Sequence, residues 1–222
     1  MINPLIKKLN EKKPSAKWIR SESHLPYLEL DLNVPTDKIL NEWQQVEHLA
    51  KPHRIKDTFP LEAISSSILE YDGAKHKGWN GLTLYGVDKN ITEDSQEPYS
   101  WTDIADQCPE TKKWLVESFT INEQTGRIRF MDLAPGGFIM PHKDYEEHRL
   151  CPINVAITNP EQAEFRMLNH GRIPFAQGKA FMLDISNQHW VYNESNEHRL
   201  HIIVHEGVSD NIIEKSYANS RY

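Results

Sequence analysis

The chain is poor in cysteine and contains no long apolar run. Only two of its 222 residues are cysteines, Cys108 and Cys151, and they form no CxxC pair. This excludes zinc-ribbon and thioredoxin-type sites and indicates a reducing compartment. No apolar run approaches the roughly 18–20 residues that span a bilayer, so no membrane partner is expected. Residues 1–14 lack the apolar stretch of a signal peptide, and we therefore expect a cytoplasmic protein.

The chain also lacks an excess of positive charge. Its formal net charge is −7, which would repel a phosphate backbone, so nucleic acid is not expected as a partner. Hydrophobic residues make up 38% and charged residues 26% of the chain, as is typical of globular proteins. The length suffices for one sizeable core. Because homodimers are common among proteins, we also expect that the chain can form a homodimer.

The N-terminal half mixes predicted helices and strands. The first 25 residues or so are polar and lysine-rich, which predicts a loosely held arm. Period-two alternation predicts a strand over 25–35. Apolar residues at helical spacing predict a helix over 38–49, capped by Thr36 or Asp37, and a second helix is predicted over 109–119.

The sequence pattern changes after Gly126. Short β-rich segments follow one another at intervals of about 10 residues, which favours a β-sandwich or jelly roll over βαβ units. These segments are 127–133, 152–158, 163–168, 179–185, 189–193 and 199–207. We treat the chain as one domain, with an N-terminal part (1–125), a metal-binding β core (126–207) and a C-terminal tail (208–222).

His142 and Asp144 stand two positions apart in an H-K-D motif. In extended chain, residues i and i+2 point to the same side, so both can bind one metal while Lys143 faces away. His189, directly after a predicted strand, supplies a third ligand from elsewhere. Two histidines and one carboxylate, with three open positions opposite, form the facial triad of non-haem iron oxygenases. A 2-oxo acid can chelate through two open positions, and dioxygen can take the third.

Arg199 follows His189 by ten residues across a turn-rich loop. The chain therefore returns antiparallel, and Arg199 can reach back toward the metal. There its guanidinium can form a bidentate pair with the distal carboxylate of 2-oxoglutarate. Alternation places Arg199, His201 and Ile203 on this side, while the intervening residues pack outward against helices. We assign His201 a supporting or packing role.

These motifs resemble the aspartyl/asparaginyl β-hydroxylase family of Fe(II)- and 2-oxoglutarate-dependent oxygenases, and especially its bacterial free-proline cis-4-hydroxylase type. The matching text is GFIMPHKDYEEHRLCPINVAITN, followed by FMLDISNQHWVYNESNEHRLHIIVHEG. The family pattern is HxD, an arginine shortly after it, a strand ending in D-x-S-x-x-H, and R-L-H-hydrophobic ten residues beyond that histidine. The resemblance covers little more than a third of the chain, from about Arg127 to Gly207.

The resemblance implies a mainly β fold with helical additions (α+β), built on a double-stranded β-helix core of the jelly-roll or cupin type. It implies His142, Asp144 and His189 as the catalytic iron ligands. It also implies Arg199 as the 2-oxoglutarate anchor and Arg149 as a residue on the co-substrate side. The cofactors would be Fe(II), 2-oxoglutarate and dioxygen.

The chain departs from the family pattern at Cys151, where many members have a histidine. Asn154 or Thr158 would then supply that histidine's hydrogen bond to the co-substrate. Asp184 matches the aspartate before the distal histidine and is expected to support it rather than to bind metal. The implied activity is hydroxylation of an unactivated C–H bond in an amino acid, an amino-acid residue or a related small molecule, with release of succinate and CO₂.

Less specific explanations compete with this interpretation. An isolated HxD arises by chance, His189 could be a core histidine, and Arg199 could form a surface ion pair with Glu194 or Glu197. A cupin-like metal enzyme without 2-oxoglutarate, a non-catalytic binding or sensor module, and a zinc hydrolase stay open as functions. Arg199 discriminates among them, because a site without 2-oxoglutarate needs no anion clamp.

Overall fold

The fold is described from a computed structural model over residues 15–53, 76–86, 99–121, 125–144, 151–205 and 210–216. Within these ranges the helices are α1 (Ser15–Glu22), α2 (Thr36–Val46), α3 (Asp103–Asp106), α4 (Pro109–Ser118) and α5 (Asp210–Lys215), with a 3-10 turn at Glu47–Leu49. The strands are β1 (Tyr27–Leu30), β2 (Lys51–Pro52), β3 (His76–Gly86), β4 (Ser100–Trp101), β5 (Ile128–His142), β6 (Ile153–Ala156), β7 (Ala163–Met167), β8 (Gly171–Arg172), β9 (Ala180–Leu183), β10 (His189–Asn193) and β11 (Arg199–Val204). None of the described helices is long and apolar enough to cross a membrane.

Strand β5 belongs to two sheets. Its first half pairs with β11, and its second half pairs with β10. Two glycines lie between the halves. Gly136 has a φ of 67°, in the left-handed region that favours glycine. A Cβ atom on Gly137 would lie 2.7 Å from the carbonyl oxygen of Ala134. Glycine at both positions therefore lets one strand leave the first sheet and enter the second.

The two sheets are antiparallel and share β5. The larger sheet has the order β1-β9-β6-β11-β5, with β3 on the far side of β5, and the smaller sheet has the order β5-β10-β7-β8. From β5 onward the chain alternates between the sheets, apart from the short β8 beside β7. This alternation produces a double-stranded β-helix, or jelly roll. The fold is mainly β with helical additions and a cupin-like core, as the sequence predicts.

Two apolar clusters fill the fold. One lies between the helices and the larger sheet and includes Trp43 of α2, Leu115 of α4 and Ile202 of β11. The other lies between the two sheets and includes Phe165 of β7 and Phe181 of β9. Alternate residues of β11 enter the helix-side cluster, which confirms their predicted outward packing. The opposite face of β11 is left for the cleft between the sheets.

The N-terminal elements differ from the sequence prediction. Residues 15–22, predicted as part of a loose arm, form α1, because Ile19 can be buried in the helix-side cluster. Helix α2 begins at Thr36 itself, so the predicted cap at Thr36 or Asp37 is wrong. Pro35 occupies the cap position, and no side chain caps the helix there.

Helix α4 begins at Pro109, as predicted, and a side chain from another helix caps it. The carboxylate of Glu42, in α2, accepts the backbone N–H groups of Glu110 at 2.8 Å and Thr111 at 2.9 Å, and the Thr111 hydroxyl at 2.6 Å. The charge also complements the positive end of the α4 dipole. Burial, together with this charge, raises the pKa of the neighbouring Cys108 thiol to about 12.

Glu42→Gln is expected to lower the free energy of unfolding by about 2–3 kcal/mol. The substitution removes the buried negative charge, and it replaces one acceptor oxygen by an NH₂ group that faces the N–H donors of α4. Urea unfolding followed by circular dichroism measures the change. Glu117→Gln is the matched control: Glu117 lies on α4 with 63% of its side chain exposed, so its loss is expected to cost less than about 0.5 kcal/mol. Equal effects of the two substitutions would contradict the capping role.

Candidate active site

The structure brings the three predicted metal ligands together. His142 ends β5, Asp144 follows two residues later, and His189 begins β10 directly opposite His142 in the sheet register. One ligand atom from each lies within 4.8 Å of the others. The histidine rings lie 4.4 Å apart between centroids, and the ring of Phe165 stacks on His189 at 5.3 Å. The register of β5 and β10 thus produces the group that the sequence predicts from distant segments.

Backbone carbonyls orient both histidines. Nδ1 of His142 lies 2.7 Å from the Met140 carbonyl oxygen, and Nδ1 of His189 lies 3.0 Å from the Asn187 carbonyl oxygen. A carbonyl oxygen only accepts, so each Nδ1 carries a hydrogen, and Nε2 is the ring nitrogen left to bind a metal when its own proton is absent. Both Nε2 atoms face Asp144, at 3.3 Å and 3.6 Å from its carboxylate oxygens. This is the tautomer and orientation that histidine metal ligands require, so the three residues fit a divalent metal ion.

Asp144 is held in its charged form. Burial by itself would raise the pKa of its carboxyl, but the neighbouring His142 and His189 outweigh burial and hold the pKa below its ordinary value. Its backbone N–H also donates to the Ile185 carbonyl at 3.3 Å. An ionised carboxylate is therefore fixed beside the two imidazole rings.

Asp184 supports the turn that carries His189. Its carboxylate accepts the Ser186 hydroxyl at 2.5 Å and the Ser186 N–H at 3.3 Å, and its carbonyl accepts the Asn187 side chain at 3.0 Å. Asn187 in turn orients His189 through its own carbonyl. Arg20, in α1, reaches the buried Asp184 carboxylate through Nε and Nη2, both at 2.9 Å. The N-terminal helix thereby supports the metal site through a chain of three contacts.

Arg20→Met is expected to weaken metal binding about tenfold, because supporting contacts of this kind orient the ligands directly attached to the metal. Titration of Mn(II) into the apoprotein, followed by electron paramagnetic resonance, measures the dissociation constant. Arg172→Met is the matched control, since Arg172 sits on β8 and makes its ion pair with Glu164. Metal affinity that is the same in Arg20→Met as in wild type would contradict this role.

Arg199 lies in the same cleft with its guanidinium buried. It is 6% exposed, so it is not the surface ion pair with Glu194 or Glu197 that competes with the anion-clamp interpretation. Its partners within the described residues are neutral: Nε donates to Asn159 Oδ1 at 3.1 Å, and Nη2 lies 3.2 Å from His201 Nδ1. Burial lowers the pKa of Arg199 to about 9. A buried cation that has no carboxylate partner among the described residues favours the binding of an anion.

The remaining predicted residues divide into three groups. Asn154 is buried and lines the cleft, as a co-substrate contact requires. Thr158 is an incorrect choice for that contact, because its hydroxyl accepts the Leu200 N–H at 2.9 Å and donates to the His198 carbonyl at 2.8 Å. Arg149 lies outside the described residues.

Several residues that line the cleft or contact Arg199 beside it belong to no chemical motif in the sequence. Asn159 follows a predicted strand in an Asn-Pro pair, which indicates only a turn. Phe175 lies in the loop before β9, with its ring centroid 5.6 Å from the Arg199 Cζ atom. Trp79 of β3 and Arg129 of β5 line the cleft. Their positions depend on which strands pair, and local sequence patterns contain no information on strand pairing.

Comparison with known proteins agrees with this geometry. The sequence model described as Aspartyl/Asparaginyl beta-hydroxylase matches residues 36–206. The chain belongs to the aspartyl/asparaginyl β-hydroxylase family. The match includes the three ligands and Arg199, and it extends upstream through α2 and β3, well beyond the motifs that carry the resemblance in the sequence. No curated protein matches the chain.

The solved structures that resemble this chain have low sequence identity to it. A Pseudomonas putida prolyl-4-hydroxylase has 11% identity and a TM-score of 0.44, covering 92% of this chain and 97% of its own. A Trichoplax adhaerens prolyl hydroxylase, in complex with a hypoxia inducible factor peptide fragment, has 8% identity and a TM-score of 0.47, covering 96% and 95%. The fold assignment follows from the strand order and pairing rather than from these similarities.

Proposed function

We propose that the protein is an Fe(II)- and 2-oxoglutarate-dependent dioxygenase that hydroxylates an unactivated C–H bond of an amino acid, an amino-acid residue or a related small molecule. One observation carries the proposal: a group of two histidines and one carboxylate shares a cleft with a buried guanidinium that no described carboxylate neutralises. The first binds a metal with open positions, and the second binds a remote carboxylate. Membership of the hydroxylase family supports the same reaction.

The residues would divide the work as follows. His142, Asp144 and His189 would hold Fe(II), which supplies the oxidation chemistry together with 2-oxoglutarate and dioxygen, releasing succinate and CO₂. Arg199 would pair with the distal carboxylate of 2-oxoglutarate, and Asn154 would contact the co-substrate beside it. Arg149 stays a prediction on the same side. Apolar side chains around the metal ligands would exclude water; they are Ile139, Phe165, Ile185 and Val191.

We also propose that the whole chain forms one oxygenase domain. The helix-side cluster supports this, because Ile19 of α1, Trp43 of α2 and Ile212 of α5 pack in the same cluster as the strands of the β core. The N-terminal part then completes the fold and supports the metal site through Arg20. A cytoplasmic location and a homodimer stay predictions of the sequence.

Anaerobic reconstitution tests the function. Purified protein is loaded with Fe(II) and titrated with 2-oxoglutarate while its visible spectrum is recorded, and oxygen is then admitted while succinate is measured. We expect a weak charge-transfer band from chelated 2-oxoglutarate and slow succinate formation even without a substrate. Zn(II)-loaded protein is the control and should give neither. Folded, iron-loaded protein that gives no band and no succinate would reject the dioxygenase in favour of a cupin-like protein without 2-oxoglutarate.

A further inference from the structure

Two neutral side chains, the half-buried Asn159 and the buried His201, hold the Arg199 guanidinium from one side. Arg199 donates from Nε to Asn159 Oδ1 at 3.1 Å, and its Nη2 lies 3.2 Å from His201 Nδ1. The same Asn159 oxygen lies 3.2 Å from His201 Nε2. The three side chains therefore form a closed triangle of hydrogen bonds, and His201 is fully buried within it.

The partners determine which atoms carry hydrogen. Arg199 only donates, so His201 Nδ1 accepts and its Nε2 donates to Asn159, which makes the ring neutral. Burial and the charge of Arg199 lower the pKa of His201 well below its ordinary value, in agreement. The Asn159 amide is oriented by its Nδ2 group, which lies 3.3 Å from the Ala163 carbonyl and 3.4 Å from the Phe175 carbonyl.

This arrangement presents one end of the guanidinium to the cleft. A guanidinium has five N–H donors in a rigid planar fork. Asn159 and His201 occupy the edge formed by Nε and Nη2, so within the part of the chain that the structure describes the remaining donors are both N–H groups of Nη1 and one of Nη2. Those atoms can form two parallel bonds to a carboxylate. The Phe175 ring, 5.6 Å from the Arg199 Cζ atom, also contacts His201 and limits rotation of the group.

We propose that Asn159 and His201 are positioning residues that select a 2-oxo acid with a second, distal carboxylate. Both are neutral acceptors, so they orient Arg199 without neutralising it, and the charge stays available to the co-substrate. A carboxylate at either position would pair with Arg199 internally and remove the preference. The inference rests on the proposed function, because it takes 2-oxoglutarate as the co-substrate.

Asn159→Asp tests the inference with a change of charge and almost none of shape. Mn(II)-loaded protein is titrated by calorimetry with 2-oxoglutarate and with 2-oxovalerate, which ends in a methyl group instead of the distal carboxylate. We expect the affinity for 2-oxoglutarate to fall about thirtyfold or more, as for a buried charge pair that loses its partner. The affinity for 2-oxovalerate should not change. Asn169→Asp is the matched control, because Asn169 is exposed on the turn after β7.

His201→Phe is the second variant, which keeps a ring against Phe175 but removes the acceptor for Nη2. We expect its preference for 2-oxoglutarate over 2-oxovalerate to fall about tenfold. If Asn159→Asp does not fold, the ratio of the affinities of His201→Phe for 2-oxoglutarate and 2-oxovalerate tests the inference on its own. Unchanged selectivity in both folded variants, or an equal loss of affinity for both acids, would overturn the inference. Wild-type protein that does not bind 2-oxoglutarate at all would instead overturn the proposed function.

Discussion

Asp144→Ala is expected to abolish metal-dependent chemistry while leaving the fold intact. Asp144 is the one carboxylate in the metal-ligand group, so its removal leaves only two imidazole ligands, which hold a divalent ion poorly. We expect Fe(II) affinity to fall by more than the roughly 10–100-fold that loss of a supporting residue costs. The band with 2-oxoglutarate and the formation of succinate should disappear with the metal. Anaerobic Fe(II) titration and product assay measure the two effects separately.

Lys143→Ala is the matched control for this prediction. Lys143 lies between the two ligands but is exposed, and the i and i+2 geometry turns it away from the metal. We expect wild-type metal affinity and succinate formation in this variant. Full iron affinity in Asp144→Ala, with a normal circular dichroism spectrum, would show that the metal binds elsewhere, and the facial-triad assignment would be rejected.

Arg199→Met is expected to remove 2-oxoglutarate binding without removing the metal. The distal carboxylate would enter a buried site without a cation, so affinity should fall about 30- to 1,000-fold, corresponding to a loss of about 2–4 kcal/mol. Arg199→Lys should retain part of the affinity, because a lysine keeps the charge but cannot form two parallel bonds. Spectroscopic titration of Fe(II)-loaded protein with 2-oxoglutarate measures all three affinities.

The stability of the Arg199→Met apoprotein provides an independent readout. A buried guanidinium whose described partners are all neutral is expected to destabilise the apo fold. Its replacement by methionine should therefore leave the free energy of unfolding unchanged or raise it by about 1 kcal/mol. Arg166→Met, on the outer face of β7 with its ion pair to Glu164, is the control and should bind 2-oxoglutarate normally. A marked loss of stability in Arg199→Met would indicate that Arg199 is structural rather than an anion site.

Local patterns in the sequence were sufficient for the two-residue part of the metal site. His142 and Asp144 share one side of an extended chain because side chains alternate along a strand, whatever the strand pairs with. The same alternation predicted that Arg199 and His201 face the cleft, while the intervening residues pack against helices. The β-rich segments after Gly126 also indicated a jelly roll, since strand propensity and turn residues act over a few positions.

The third ligand, His189, could be assigned only with the help of the family's sequence motifs. The reason is that strand pairing, rather than any local pattern, brings His189 to His142. His189 meets His142 only because β10 lies beside the second half of β5 in one register. A shift of one residue would turn His189 to the outer face of the sheet. Periodicity within either strand contains no information on that register. The motif predicts the residue, and the paired strands account for its position.

The supporting residues were decided by the tertiary structure alone. Arg20 contacts Asp184, which lies 164 residues later in the sequence. Glu42 in α2 caps α4, which begins only at Pro109. Asn159 meets Arg199 because β6 and β11 are neighbours. Asp184, Glu42 and Arg199 are buried polar groups, and such groups must find a partner wherever the fold provides one. Side-chain type and spacing therefore determined the ligands, whereas the packing of distant segments determined what holds them in place.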